Sequence, residues 1–144
     1  MKQTIKKLCA TLASAIMVFS MSASICNATA SQTSRTEHFV VGKNQEWKSL
    51  KSLNRTKKYN NTRIRVISVT PIENKKDNYT KVQAMAVDAK TGKAITSVKV
   101  FEEGTGFKSL PIKNGFLNTS KIVFKYRGNN YKYGAYVHAT SDAR

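Results

Sequence analysis

Two histidines, His38 and His138, are the whole imidazole supply of this 144-residue chain. Acid–base or metal chemistry near neutral pH would have to begin with them. Neither stands in an H-x-x-x-H or H-E-x-x-H spacing, which aims two imidazoles at one zinc ion from a helix. No metal or cofactor is therefore expected. Cys9 and Cys26 are the only cysteines, and both precede the leader cut argued below, so the exported chain would have no thiol nucleophile. Glu102-Glu103 is an adjacent pair whose side chains point oppositely in a strand. It reads as a solvated acidic corner before Gly104, not as a carboxylate dyad. No glycine-rich phosphate loop opens a helix. One enzymatic grouping remains from residue types alone, that of a small secreted ribonuclease-like hydrolase. His138 would be the acid, Glu102 or Glu103 the base, and Arg127 the phosphate holder. No motif orders these residues, and the chain is expected not to be an enzyme.

Binding chemistry is better supplied. Tyrosine and tryptophan stack on sugar rings or bases, while neighbouring Lys or Arg capture phosphate. Trp47 and Tyr59 are candidate aromatic contacts. The richest stretch is K-Y-R-G-N-N-Y-K-Y-G-A-Y-V, Lys125 to Val137. Read as two strands around Gly128-Asn129-Asn130, residues tolerant of the positive φ that a tight hairpin needs, it sends Tyr126, Tyr131 and Tyr133 inward. Lys125, Arg127, Lys132, Tyr136 and His138 are left on one outer face, the expected anion-binding strip.

The elements that must hold these residues read as strands. Period-two alternation with β-branched and aromatic residues marks His38–Val41, Thr62–Thr70, Thr80–Asp88, Ala94–Phe101, Phe107–Ile112, Thr119–Arg127 and Tyr131–Ala139. In Thr62–Thr70 the apolar phase shifts between Val66 and Ile67, which implies a bulge or burial on both faces. The turn at Ala89–Lys93 contains Gly92, free to take positive φ, and predicts a hairpin of its two flanking strands. Pro111 stops an edge strand. Within the basic stretch Gln45–Tyr59, Trp47, Leu50 and Leu53 have helical spacing, so a helical turn or a loop is expected there. About seven short strands at such intervals point to an all-β fold, a small antiparallel β-sandwich or barrel. Its boundaries are expected to be a basic segment with one short strand over 31–61 and the sandwich core over 62–144.

The first thirty residues read as a secretory leader. Lys2, Lys6 and Lys7 precede an apolar run from Leu8 to Ile25, and Ala28-Thr29-Ala30 supplies a small–x–small cut, with Ala28 and Ala30 as the cleavage residues. A retained membrane anchor is the competing reading; Thr11, Ser14, Ser20, Ser22 and Ser24 interrupt it. Ile25 before Cys26 argues against lipidation. Of 25 Lys and Arg, the leader removes three, leaving 22 against 8 acidic residues, a net of +14 over Ser31–Arg144. An exported domain without cysteine fits a bacterium that does not rely on oxidative folding, best a Gram-positive one. The Asn-x-Ser/Thr triplets, as at Asn54, Asn78 and Asn118, are what a chain rich in Asn and Thr makes by chance.

Glu103-Gly-Thr-Gly-Phe107 followed by Lys125–Val137 resembles short exported proteins of Gram-positive bacteria. In these, a Gly-rich turn precedes two strands with an Asn-Asn turn and an aromatic-Gly ending. The likeness covers the last third of the chain. It implies a product mostly of uncharacterised function, in some cases bacteriocin-associated, and it assigns no functional residue. The expected protein is a secreted, basic β-domain, loosely wall-associated in the sense that charge alone would hold it, with anionic envelope polymers or an unidentified protein as partner. No specific nucleic acid and no membrane span after cleavage are expected. A bacteriocin-like or toxin-like polypeptide is the alternative, although no continuous amphipathic segment suits insertion into a bilayer.

Overall fold

A computed structural model describes residues 32–72 and 80–144. The leader expected at 1–30, with Ala28, Ala30, Cys9 and Cys26, lies outside the described residues, as does Asn78. Alternation of apolar and polar side chains becomes nine strands among the described residues: β1 Ser34–Val41, β2 Lys48–Ser49, β3 Leu53–Asn54, β4 Asn61–Pro71, β5 Lys81–Asp88, β6 Lys99–Glu102, β7 Lys108–Pro111, β8 Lys121–Gly128 and β9 Ala135–Asp142. They form two antiparallel sheets. The first has the order β1-β9-β4-β7; the second has the order β2-β8-β5-β6, with β3 also paired to β8. The fold is a small all-β sandwich.

Period two decides the core. Val41, Ile64, Val66, Leu110, Val137 and Ala139 come from the first sheet. Val82, Ala84, Phe101, Ile122, Phe124 and Tyr126 meet them from the second, all but fully buried. Tyr126 joins the two layers: its ring lies 4.8 Å from that of Phe39, and its hydroxyl shares a 2.7 Å hydrogen bond with Ser141 on β9. Burial pushes the Tyr126 phenol far above the ordinary tyrosine range, with a smaller push from Glu37 and opposed by the Ser141 bond.

The phase shift in β4 is a bulge. Its register against β9 slips between Val66 and Ser68, so Ile64, Val66 and Val69 all point inward. The Gly92 turn takes φ 72° and closes the expected hairpin, although its returning strand is regular only over Lys99–Glu102, opposite Lys81–Ala84. Before that, Thr96 leaves the ladder to bridge to Ile112, and its hydroxyl accepts the Ala86 N–H. β7 is an edge strand ending at Pro111, as the proline requires.

Other expectations change. The stretch 31–61, expected to hold one short strand, supplies β1, β2 and β3. Trp47, Leu50 and Leu53 do not share a helical turn; the segment is extended, after a 3-10 turn at Lys43–Gln45. Its backbone is tied to β8 by Leu50 N–H to Phe124 O, and to the residue just before β8 by Arg55 N–H to Ser120 O. Arg55 is only 6% exposed and has no carboxylate partner among the described residues. Its guanidinium donates to the carbonyls of Tyr59, Leu117 and Thr119, fastening two loops, and desolvation holds its pKa below the usual arginine value.

The largest correction concerns the two C-terminal strands. β8 and β9 are not a hairpin: β8 pairs with β2, β3 and β5, and β9 pairs with β1 and β4. The Asn129–Gly134 link carries the chain from one sheet to the other. Its carbonyls are consumed elsewhere, Tyr131 O by Asn44 N–H and Gly134 O by Ile72 N–H. Gly134 is required by close approach, since a Cβ there would sit 2.9 Å from the carbonyl oxygen of Val41. Because β9 starts only at Ala135, Tyr131 lies in the link, 66% exposed and not in the core, and Tyr133 is half-buried.

Candidate functional site

The crossover splits the expected anion-binding strip. Lys125 and Arg127 stand on the outer face of β8 in the second sheet, and Tyr136 and His138 on the outer face of β9 in the first. Lys132 is exposed in the link between them. Tyr59 is engaged at another place, its ring 4.9 Å beneath the Arg144 guanidinium. The five strip residues therefore serve two surfaces.

On the second sheet, a central strand carries the charge. Ile122, Phe124 and Tyr126 point into the core, so Lys121, Val123, Lys125 and Arg127 must point out. Side chains on one face of a strand repeat at about 6.8 Å, and Lys121 to Arg127 spans roughly 20 Å. Trp47, one residue before β2, falls opposite Arg127 in the β2–β8 register, where Lys48 faces Tyr126 and Ser49 faces Lys125. The Arg127 guanidinium packs on the Trp47 ring, 4.5 Å from its centroid, and its Nε donates to Gln83 Oε1 at 2.8 Å. Gln83 in turn donates to Asn129 Oδ1 at 3.0 Å. Arg127 is thus held from both sides by neutral groups that leave its charge uncompensated. Met85 lies beside Lys125 on β5, and Val100, 50% exposed, beside Gln83 on β6. Among the described residues no carboxylate pairs with Lys121, Lys125 or Arg127.

Beyond Lys121 the row runs into a depression of about 500 Å³ lined by Ser52, Asp88, Lys90, Asn118, Ser120 and Lys121. Asp88 is its one carboxylate, and it is spent on local structure. Its oxygens accept the N–H groups of Lys90 and Thr91 and the Thr119 hydroxyl. The Thr91 N–H contributes most to holding its pKa below the usual carboxylate range. Hydroxyl, amide and ammonium groups surround that ionised carboxylate, so the lining is mixed in charge.

The residues weighed for RNA cleavage are not brought together. Arg127 and His138 occupy the outer faces of different sheets. Glu103 accepts the Val69 N–H at 2.8 Å, while Glu102 faces Lys81 at 3.8 Å. Half of the acidic corner is therefore structural, capping the free edge of β4 next to its bulge. Alternation puts Lys121 on the face of Lys125 and Arg127, although the expected strip left it out. One feature escaped the sequence reading. The Trp47–Arg127 stack carried no local signal, because it depends on which strand pairs with β8.

No family model, characterised protein or solved structure matches this chain.

Proposed function

We propose that the chain is an exported binding protein, not an enzyme, that holds a linear polyphosphodiester of the cell envelope along the outer face of the second sheet. The observation that carries this reading is the row Lys121–Lys125–Arg127 with Trp47 stacked at its end. Cations about 14 and 7 Å apart along a rigid strand can meet phosphates of an extended polymer without having to be ordered first. The Arg127 guanidinium, already desolvated on one face by indole, keeps its N–H fork for a phosphate. A net +14 on the exported chain favours encounter with any polyanion; the row favours a register.

Wall teichoic acid is the probe. Co-sedimentation with walls, before and after the polymer is stripped, is expected to show binding that depends on it. Three phosphate contacts at about 0.7 each give a log–log salt slope near −2, a loss of roughly twenty-fold between 50 and 200 mM salt. Lys125→Glu with Lys121→Glu is expected to abolish the binding, and Trp47 fluorescence is expected to change as polymer is added. Retention on walls in high salt, or equal binding by the charge-reversed protein, overturns the proposal.

A further inference from the structure

The opposite face of the sandwich carries a different chemistry. His38 on β1 and His138 on β9 are direct cross-strand partners, and their rings stack with centroids 3.8 Å apart and planes 17° from parallel. They are the only two histidines of the chain, brought from its two ends to one rung. They border a depression of about 450 Å³ whose wall includes Ser68, Thr70, Val40 and Tyr136. Ser68 lies directly across β4 from His138, beside the bulge.

The rungs on either side of the histidines are closed. At Thr36–Thr140 the two hydroxyls bond each other at 2.8 Å. Further along, Asp142 is paired with Arg63 at 2.7 Å. The other neighbouring rung, Val40–Tyr136, is largely apolar. At the histidine rung, by contrast, none of the four ring nitrogens has a hydrogen-bond partner among the described residues. Two imidazoles ligating one metal at about 2.0–2.1 Å place their nitrogens roughly 3–3.4 Å apart. Stacked rings aim their in-plane lone pairs side by side, so ligating one ion requires the pair to unstack and turn about χ1 and the soft imidazole χ2 until one nitrogen of each converges.

We infer that His38 and His138 form a two-imidazole site for a late first-row divalent cation, Cu²⁺ before Zn²⁺. The depression leaves the remaining coordination positions to solvent or to an exogenous ligand. Imidazole nitrogen selects this class of metal over Mg²⁺ or Ca²⁺, and the Irving–Williams order ranks copper first. Ser68, the register partner of His138 on β4, lines the same depression and adds a hydroxyl to it. Binding would also pin β1, an edge strand, to β9. The site is independent of the polyanion reading, since it lies on the other sheet and shares no residue with the basic row.

The test uses untagged, chelator-treated protein titrated with Cu²⁺ and with Zn²⁺ in a non-coordinating buffer, without polymer. One equivalent is expected to bind. The Cu²⁺ electron paramagnetic resonance spectrum is expected to show coupling to two imidazole nitrogens, and Zn²⁺ to shift the ring carbon signals of both histidines. His38→Ala and His138→Ala, made singly, are each expected to weaken binding at least ten-fold. Lys125→Ala, on the other sheet, is expected to leave it unchanged. Ring signals in the unsubstituted protein that do not move on adding Zn²⁺, a one-nitrogen copper spectrum, or full-strength binding by the single variants overturns the assignment. The ring-signal measurement needs no substitution and so does not depend on any variant folding.

Discussion

Tyr126→Phe isolates a side-chain bond that joins β8 of one sheet to β9 of the other. The substitution keeps the ring, which is fully buried and packed against Phe39, and removes only the hydroxyl that meets Ser141 Oγ at 2.7 Å. Ser141 is 2% exposed, so its hydroxyl loses its partner with little water to replace it. A buried polar group stranded in this way costs about 1–3 kcal/mol, whereas removing both partners together is close to neutral. Urea unfolding is therefore expected to place Tyr126→Phe about 1–3 kcal/mol below the unsubstituted protein with unchanged m-value. Tyr126→Phe with Ser141→Ala is expected to recover much of that loss, a coupling of about 1 kcal/mol. A second signature is alkaline. The phenol ionises near pH 10 in the unfolded chain but well above that when folded. Its contribution is complete below pH ~10 and declines as pH rises toward the folded value, at up to about 1.4 kcal/mol per pH unit. That part of the alkaline decline is expected to vanish in Tyr126→Phe. Additive losses in the double variant would mean that β8 and β9 do not meet through these hydroxyls, and identical alkaline profiles that the phenol is not buried; either result would refute the reasoning.

Gly134→Ala places a methyl 2.9 Å from Val41 O and 3.2 Å from Ile72 Cδ1, in the link that carries the chain between sheets. Overpacking of this kind costs about 1–3 kcal/mol, and calorimetry is expected to show Tm lowered by roughly 4–8 °C per kcal/mol. Asp88→Asn removes a carboxylate whose folded pKa is depressed by its turn hydrogen bonds. Its stabilisation is present above the unfolded value near pH 4 and fades as pH falls through the lower folded value. Acid unfolding curves of Asp88→Asn and the unsubstituted protein are accordingly expected to differ at pH 6 and to converge at the acid end.

The teichoic acid and metal titrations address opposite faces of one small domain, so each serves as the other's control. Loss of wall binding in a variant that still takes up copper would localise the defect to the second sheet.

Much of the architecture was present in the residue pattern. Alternation decides which side chains leave the backbone toward the core, and it named Tyr126 as internal and Lys125 and Arg127 as external, while the broken phase at Val66–Ile67 offered a bulge or burial on both faces, of which β4 has the bulge. Proline without an N–H marked the edge strand at Pro111, and the charge balance follows from counting. None of these needs a partner strand to be known. Alternation carries no information about which strand lies alongside, and there the tertiary structure decided. Gly128-Asn129-Asn130 permits a tight hairpin, but the carbonyls of Tyr131 and Gly134 find better-placed donors in Asn44 and Ile72, and the chain crosses to the other sheet. That crossing exposed Tyr131, split Lys125 and Arg127 from Tyr136 and His138, and set Trp47 under Arg127. It also left β9 beside β1, which is why His138 meets His38, a residue from the far end of the folded chain.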